Sequence, residues 1–142
     1  MTKIKSEDRL LESVIAGAQR VINGKDELNK INVFPVADGD TGSNLASLMQ
    51  TIVDNLSNNK YSTNLLLDEV ASAALIGARG NSGIIFAQYL NAVSDYYGVY
   101  ETNLEILVVA FNKAVKNAYD SLIEPKEGTI LSVMRRWADV LL

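Results

Sequence analysis

The chain has 142 residues, 48% of them hydrophobic, a formal charge of -4, and neither cysteine nor histidine. This length and apolar content fit one domain with a real core, and charges of both signs are interspersed, leaving no basic patch of the kind that nucleic-acid binding needs. The missing Cys and His exclude disulfides, thiolate nucleophiles, Cys/His zinc sites and histidine bases, so any acid–base or metal chemistry rests on Asp, Glu, Lys, Tyr or backbone.

In chain order, Ser6 can cap a first helix. Leu10, Leu11, Val14, Ile15, Ala18, Val21 and Ile22 recur there at three- and four-residue spacing, and Asn23-Gly24 supplies the stop. Asp26 to Lys30 reads as a short turn or helical piece. Ile31 to Ala37 is apolar, β-branched and broken by Pro35; with no second strand to pair with, it is expected to be an extended, mostly buried connection. It opens into Asp38-Gly39-Asp40-Thr41-Gly42-Ser43-Asn44. That run is either a capped Asp/Gly turn or a loop where helix N-terminal N–H groups meet phosphate and carboxylates meet a hard cation.

A second helix is predicted from about Gly42 to Leu56, with Leu45, Leu48, Met49, Ile52 and Leu56 on one face, ended by residues 57–60. Ser62 or Thr63 caps a third, whose second half, Ala71 to Ala78, is built of small residues that permit close approach. After Gly77-Ala78-Arg79-Gly80-Asn81-Ser82-Gly83 comes a fourth helix with Ile84, Ile85, Tyr89, Ala92 and Val93 expected inside. Thr102 to Glu105 reads as a capping box for a fifth, carrying Leu104, Leu107, Val108, Phe111, Val115, Ala118, Tyr119 and Leu122. A third break, Glu124 to Thr129, leads into a last helix with Ile130, Val133, Met134, Trp137, Val140 and Leu141. Arg135-Arg136 reads as an exposed helix face. No apolar run approaches membrane-spanning length and no signal-peptide core follows Met1, so a soluble cytoplasmic protein is expected.

Six helices joined by short loops favour an all-α, antiparallel up-down bundle, which puts alternate loops at one end. The three glycine-rich breaks are those alternate loops, each at a helix N-terminus, and together they suit a polyphosphate. Asp38 and Asp40 would hold Mg²⁺, with Asn32 lending an amide oxygen or simply tying down the loop. Thr41, Gly42, Ser43 and Asn44, then Asn81, Ser82 and Gly83, then Gly128 and Thr129, would surround the nucleotide phosphates. Arg79 either stabilises transferred charge or is a cation at a helix C-terminus.

The runs Asn32 to Asn44, Gly77 to Gly83 and Glu127-Gly128-Thr129-Ile130 resemble the DhaL-type nucleotide-binding domain shared by dihydroxyacetone kinases and bacterial fatty acid kinases. The Asn-Val-Phe-Pro-Val lead-in is closest to the N-terminal domain of the fatty acid kinase A subunit. The resemblance implies an eight-helix antiparallel barrel, ATP or ADP at one end, and two Mg²⁺ held by aspartates, here Asp38 and Asp40. It implies a kinase that phosphorylates a fatty acid carboxylate presented by a binding-protein partner. The alternatives are a dihydroxyacetone-type phosphotransferase and a non-catalytic helical adaptor. With about six of eight helices, residues 1–142 would be a C-terminally truncated domain with an exposed apolar flank, expected to self-associate or to belong to a longer chain.

Overall fold

The computed structural model describes residues 2–57, 61, 63–98 and 103–142, the side chains of 2–8, 63 and 64 excepted. The first helix already runs from Thr2, so Ser6 stands inside it and does not cap it, and Thr63 is itself the first residue of the helix after residue 62; Ser62, Thr102 and the stop at 58–60 lie outside the described residues. The described residues form seven helices and no strand: α1 (Thr2–Asn23), α2 (Lys25–Ile31), α3 (Thr41–Leu56), α4 (Thr63–Gly77), α5 (Gly80–Gly98), α6 (Leu104–Asp120) and α7 (Ile130–Leu141). The all-α expectation holds. The six long helices are those predicted, and the seventh is α2, where the sequence left a turn or a helical piece.

Neighbours in the bundle follow chain order. α1 packs on α3, α3 on α4, α4 on α5, α5 on α6 and α6 on α7, while α2 lies against α3. One core lies among α1, α3, α4 and α5, where Leu48, Ile52, Leu56 and Leu66 are fully buried. Each such side chain stabilises the fold by about 1.5–3 kcal/mol. The second core joins α5, α6 and α7 through Tyr89, Val93, Ala110, Ala114, Leu131 and Met134. The small residues of α4 serve helix packing: a Cβ on Gly77 would stand 2.5 Å from Thr51 Oγ1 and 3.0 Å from Leu48 Cα. Ser47 Oγ donates to the Gly77 carbonyl at 3.1 Å, closing the end of α4 against α3.

Several expectations need correction. The lead-in Ile31 to Ala37 is not buried: Ile31 is 67% exposed, Val33 68%, Phe34 54% and Val36 63%. It crosses the end of the bundle, where no described helix covers it, and its apolar side chains face outward. Ile84 is exposed because it lies one residue round the helix from the face of α5 that buries Gly83 and Ala87. Leu104 is exposed as the first residue of α6. That helix is capped by Asn103, whose Oδ1 accepts from Ile106 N at 2.9 Å. α7 is apolar on two sides: Leu131, Met134 and Ala138 are buried, while Val133, Trp137 and Val140 are more than half exposed. Among the described residues no helix is long and apolar enough to cross a membrane.

Candidate functional site

The three glycine-rich loops meet at one end, and named contacts show it. Gly80, at φ +62°, lies under the side chain of Asn44; an added Cβ would stand 2.2 Å from Asn44 Nδ2. A Cβ on Gly83 would stand 3.6 Å from the Asn44 carbonyl oxygen. The start of α3 and the start of α5 are therefore side by side. On the other flank, Gly128 takes φ +79°, and a Cβ there would lie 3.8 Å from Phe34 Cδ1, so the lead-in touches the loop before α7.

The first loop is shaped from outside. The opening N–H groups of α3 have no partner within their own helix. Asn32, which closes α2, turns its Oδ1 to accept from Asp40 N at 3.0 Å and Thr41 N at 3.1 Å, and donates from Nδ2 to the Val36 carbonyl at 3.3 Å. One turn earlier, Asn29 Oδ1 accepts from Ser43 N at 3.0 Å and Nδ2 donates to Ser43 Oγ at 3.0 Å. Gly42 permits this docking: a Cβ there would fall 2.0 Å from the Lys25 carbonyl oxygen. Asp40 holds the N-cap position, yet its side chain makes no capping bond. Asp38 and Asp40 are exposed, and among the described residues neither carboxylate is in an ion pair. Gly39, at φ +64°, supplies the bend between them.

The loop before α5 is open. Arg79 and Asn81 are exposed, Ser82 is half-buried, and among the described residues none of their side chains has a hydrogen-bond partner. The loop before α7 is tied to itself. Thr129 caps α7, accepting from Leu131 N at 3.3 Å and donating to the Lys126 carbonyl at 2.7 Å. Glu127 accepts from Tyr119 Oη at 2.8 Å and from Ser132 Oγ, and pairs with Arg135 at 2.8 Å. Arg135 also lies 4.2 Å from the centre of the Tyr119 ring. It is thus a brace for this loop, not merely an exposed face. The bonds from Ser132 and Tyr119, helped by the nearby guanidinium, hold Glu127 below the usual carboxylate range. Burial and the bond to Glu127 push the Tyr119 phenol up.

The structure thus brings all the predicted loops together but gives their residues different work. Asn32 Oδ1 holds the loop through Asp40 N and Thr41 N. Gly42 admits α2, Asn44 joins two loops, and Thr129 is a cap. Among the described residues, the side chains of Asp38, Asp40, Arg79, Asn81 and Ser82 make no hydrogen bond or ion pair. Asn29 was not anticipated; the available signal was its three-residue spacing from Asn32, which sets two amides on one side of a short helix. Among the described residues no three acidic, His or Cys side chains cluster to hold a metal. Two exposed carboxylates fit Mg²⁺, which completes its shell with phosphate and water.

Residues 35–142 match the family model described as the DAK2 domain. An uncharacterized protein of Staphylococcus saprophyticus is 38% identical over 130 residues, 90% of this chain and 24% of that protein. Uncharacterized proteins of Staphylococcus aureus strains USA300 and COL are each 36% identical over 127 residues, 87% of this chain and 23% of theirs. The chain spans about a quarter of the length of these curated relatives.

Proposed function

Since the chain belongs to the DAK2 domain family, we propose that it is the Mg-nucleotide-binding domain of a cytoplasmic kinase, with ATP bound across the three converging loops. The observation that carries this reading is the pair of carboxylates, Asp38 and Asp40, which have no partner among the described residues, at an end of the bundle where the Asn44–Gly80 and Phe34–Gly128 contacts bring three helix N-termini together. Asp38 and Asp40 would hold Mg²⁺, two ions by the family resemblance, and the metal supplies charge neutralisation for the phosphate oxygens. The N–H groups opening α5, with Asn81 and Ser82, would hold a second phosphate, and Arg79 would meet charge on the transferred group. Gly128 and Thr129 form the third side.

The acceptor we favour is a fatty acid carboxylate presented by a binding-protein partner. The γ-phosphorus–oxygen bond to ADP breaks as a carboxylate oxygen bonds to phosphorus, giving acyl-phosphate and ADP. A carboxylate has no proton to lose, which suits a chain without histidine. Positioning and charge stabilisation carry most of such a transfer. The exposed Val33, Phe34 and Val36 support this acceptor by placing an apolar surface beside the phosphate loops.

Isothermal titration of the chain with ATP, with and without Mg²⁺, tests the reading. Wild type should bind Mg-ATP, and Asp38→Ala or Asp40→Ala should bind it at least about 100-fold more weakly, since each removes a charged ligand. Equal binding by all three proteins would refute it. Phosphorylation of a fatty-acid-loaded binding protein against dihydroxyacetone, using the longer parent protein, then tests the acceptor.

A further inference from the structure

An aspartate at an N-cap ordinarily turns its carboxylate inward to accept from the N–H groups of the first helical turn. Asp40 occupies that position on α3 and does not do so. Of the N–H groups that a cap side chain takes, Ser43 N is held by Asn29 Oδ1 at 3.0 Å, and beside it Asp40 N and Thr41 N are held by Asn32 Oδ1 at 3.0 and 3.1 Å. Asn29 also donates to Ser43 Oγ at 3.0 Å, fixing which way its amide faces. The contact is close by construction, since Gly42 leaves no Cβ to separate α3 from the Lys25 carbonyl. From these bonds we infer that Asn29 is a positioning residue for the metal side of the nucleotide site: by capping α3 from a neighbouring helix, it keeps the Asp40 carboxylate free to meet a cation.

The physical consequence is a competition. Without the Asn29 amide, Ser43 N–H is left unpaired, and the nearest carboxylate able to satisfy it is that of Asp40, one turn away at the cap. A carboxylate drawn into capping is withdrawn from the cation. Asn29 never touches the ligand in this scheme; it acts through Ser43 and Asp40.

This inference rests on the Mg-nucleotide reading, and its test separates the two. ATP is titrated into wild type, Asn29→Ala and Asn29→Asp, with and without Mg²⁺, and folding is followed by circular dichroism. Asn29→Ala should bind Mg-ATP up to about tenfold more weakly, the upper scale of one net hydrogen bond. Its affinity for ATP without metal should stay within about twofold of wild type. Asn29→Asp keeps an acceptor for Ser43 N–H and for the Ser43 hydroxyl, so it should return most of the lost affinity. If Asn29→Ala matches wild type, or loses metal-free and Mg-dependent binding alike, Asn29 is only a structural tie and the inference fails. If Asn29→Ala unfolds, Asn29→Asp decides: it must bind Mg-ATP within about threefold of wild type. If wild type itself binds no Mg-ATP, the nucleotide reading falls and this inference goes with it.

Discussion

The loops before α3 and before α7 look alike in sequence, each an acidic residue, a glycine at positive φ and a threonine opening a helix, yet they are built in opposite ways. Before α7, Glu127 and Thr129 are committed to the loop itself, through Ser132, Tyr119, Arg135 and the Lys126 carbonyl. Before α3, the ties come from Asn29 and Asn32 on another element, and Asp38 and Asp40 are left over. An acidic residue in a glycine-rich turn is therefore not a ligand by virtue of its type. What separates the two loops is whether something else has done the capping.

Mutations should separate them as well. The largest contrast is between Asp40 and Glu127. Asp40→Ala should lose at least about 100-fold in Mg-ATP affinity while changing stability by no more than about 1 kcal/mol, the scale of a carboxylate at a helix N-terminus. Glu127→Ala should do the reverse, lowering Tm while Mg-ATP affinity stays within a few-fold. Calorimetry and thermal unfolding on both variants check this. Next in size, Gly42→Ala sets a methyl 2.0 Å from the Lys25 carbonyl. It should cost roughly 1–3 kcal/mol in denaturant unfolding, as overpacking does, and weaken Mg-ATP by displacing α2. Thr129→Ala removes the cap of α7 and should cost about 1 kcal/mol, seen as a lower urea midpoint, with little change in nucleotide binding.

The smallest effect is in pH. Because Glu127 titrates below its ordinary range in the fold, its contribution is complete above the unfolded carboxylate range and disappears as pH falls through the lowered folded value. Tm of wild type should therefore fall more on acidification than that of Glu127→Gln, and the two profiles should converge at the acidic end.

Much of this was legible in the chain. The apolar stripes of the six long helices follow directly from three- and four-residue spacing, and glycine with Asp, Asn or Thr marked all three loops. The alternation of short loops was enough to put those loops at one end. The rest depends on contacts between segments. Asn29 bonds to Ser43, 14 residues away, and no local pattern announces that partner. Val33, Phe34 and Val36 carry the composition of a buried strand; only the position of the lead-in across the bundle end turns them outward. Arg135 sits on a helix face that reads as solvated, yet Tyr119 and Glu127 fold back onto it. The outward Val133, Trp137 and Val140 follow the same helical period as the buried side of α7, so periodicity alone did not tell the two sides apart.

The central claim is that three loops form one site around a nucleotide held by Asp38 and Asp40. Backbone amide NMR during a Mg-ATP titration tests it most directly. The account predicts that Asp40 to Asn44, Asn81 to Gly83, and Gly128 with Thr129 shift together along one binding curve, and that all three sets stay still in Asp40→Ala over the same concentrations. Shifts confined to one loop, separate affinities for different loops, or an unchanged response in Asp40→Ala would contradict it.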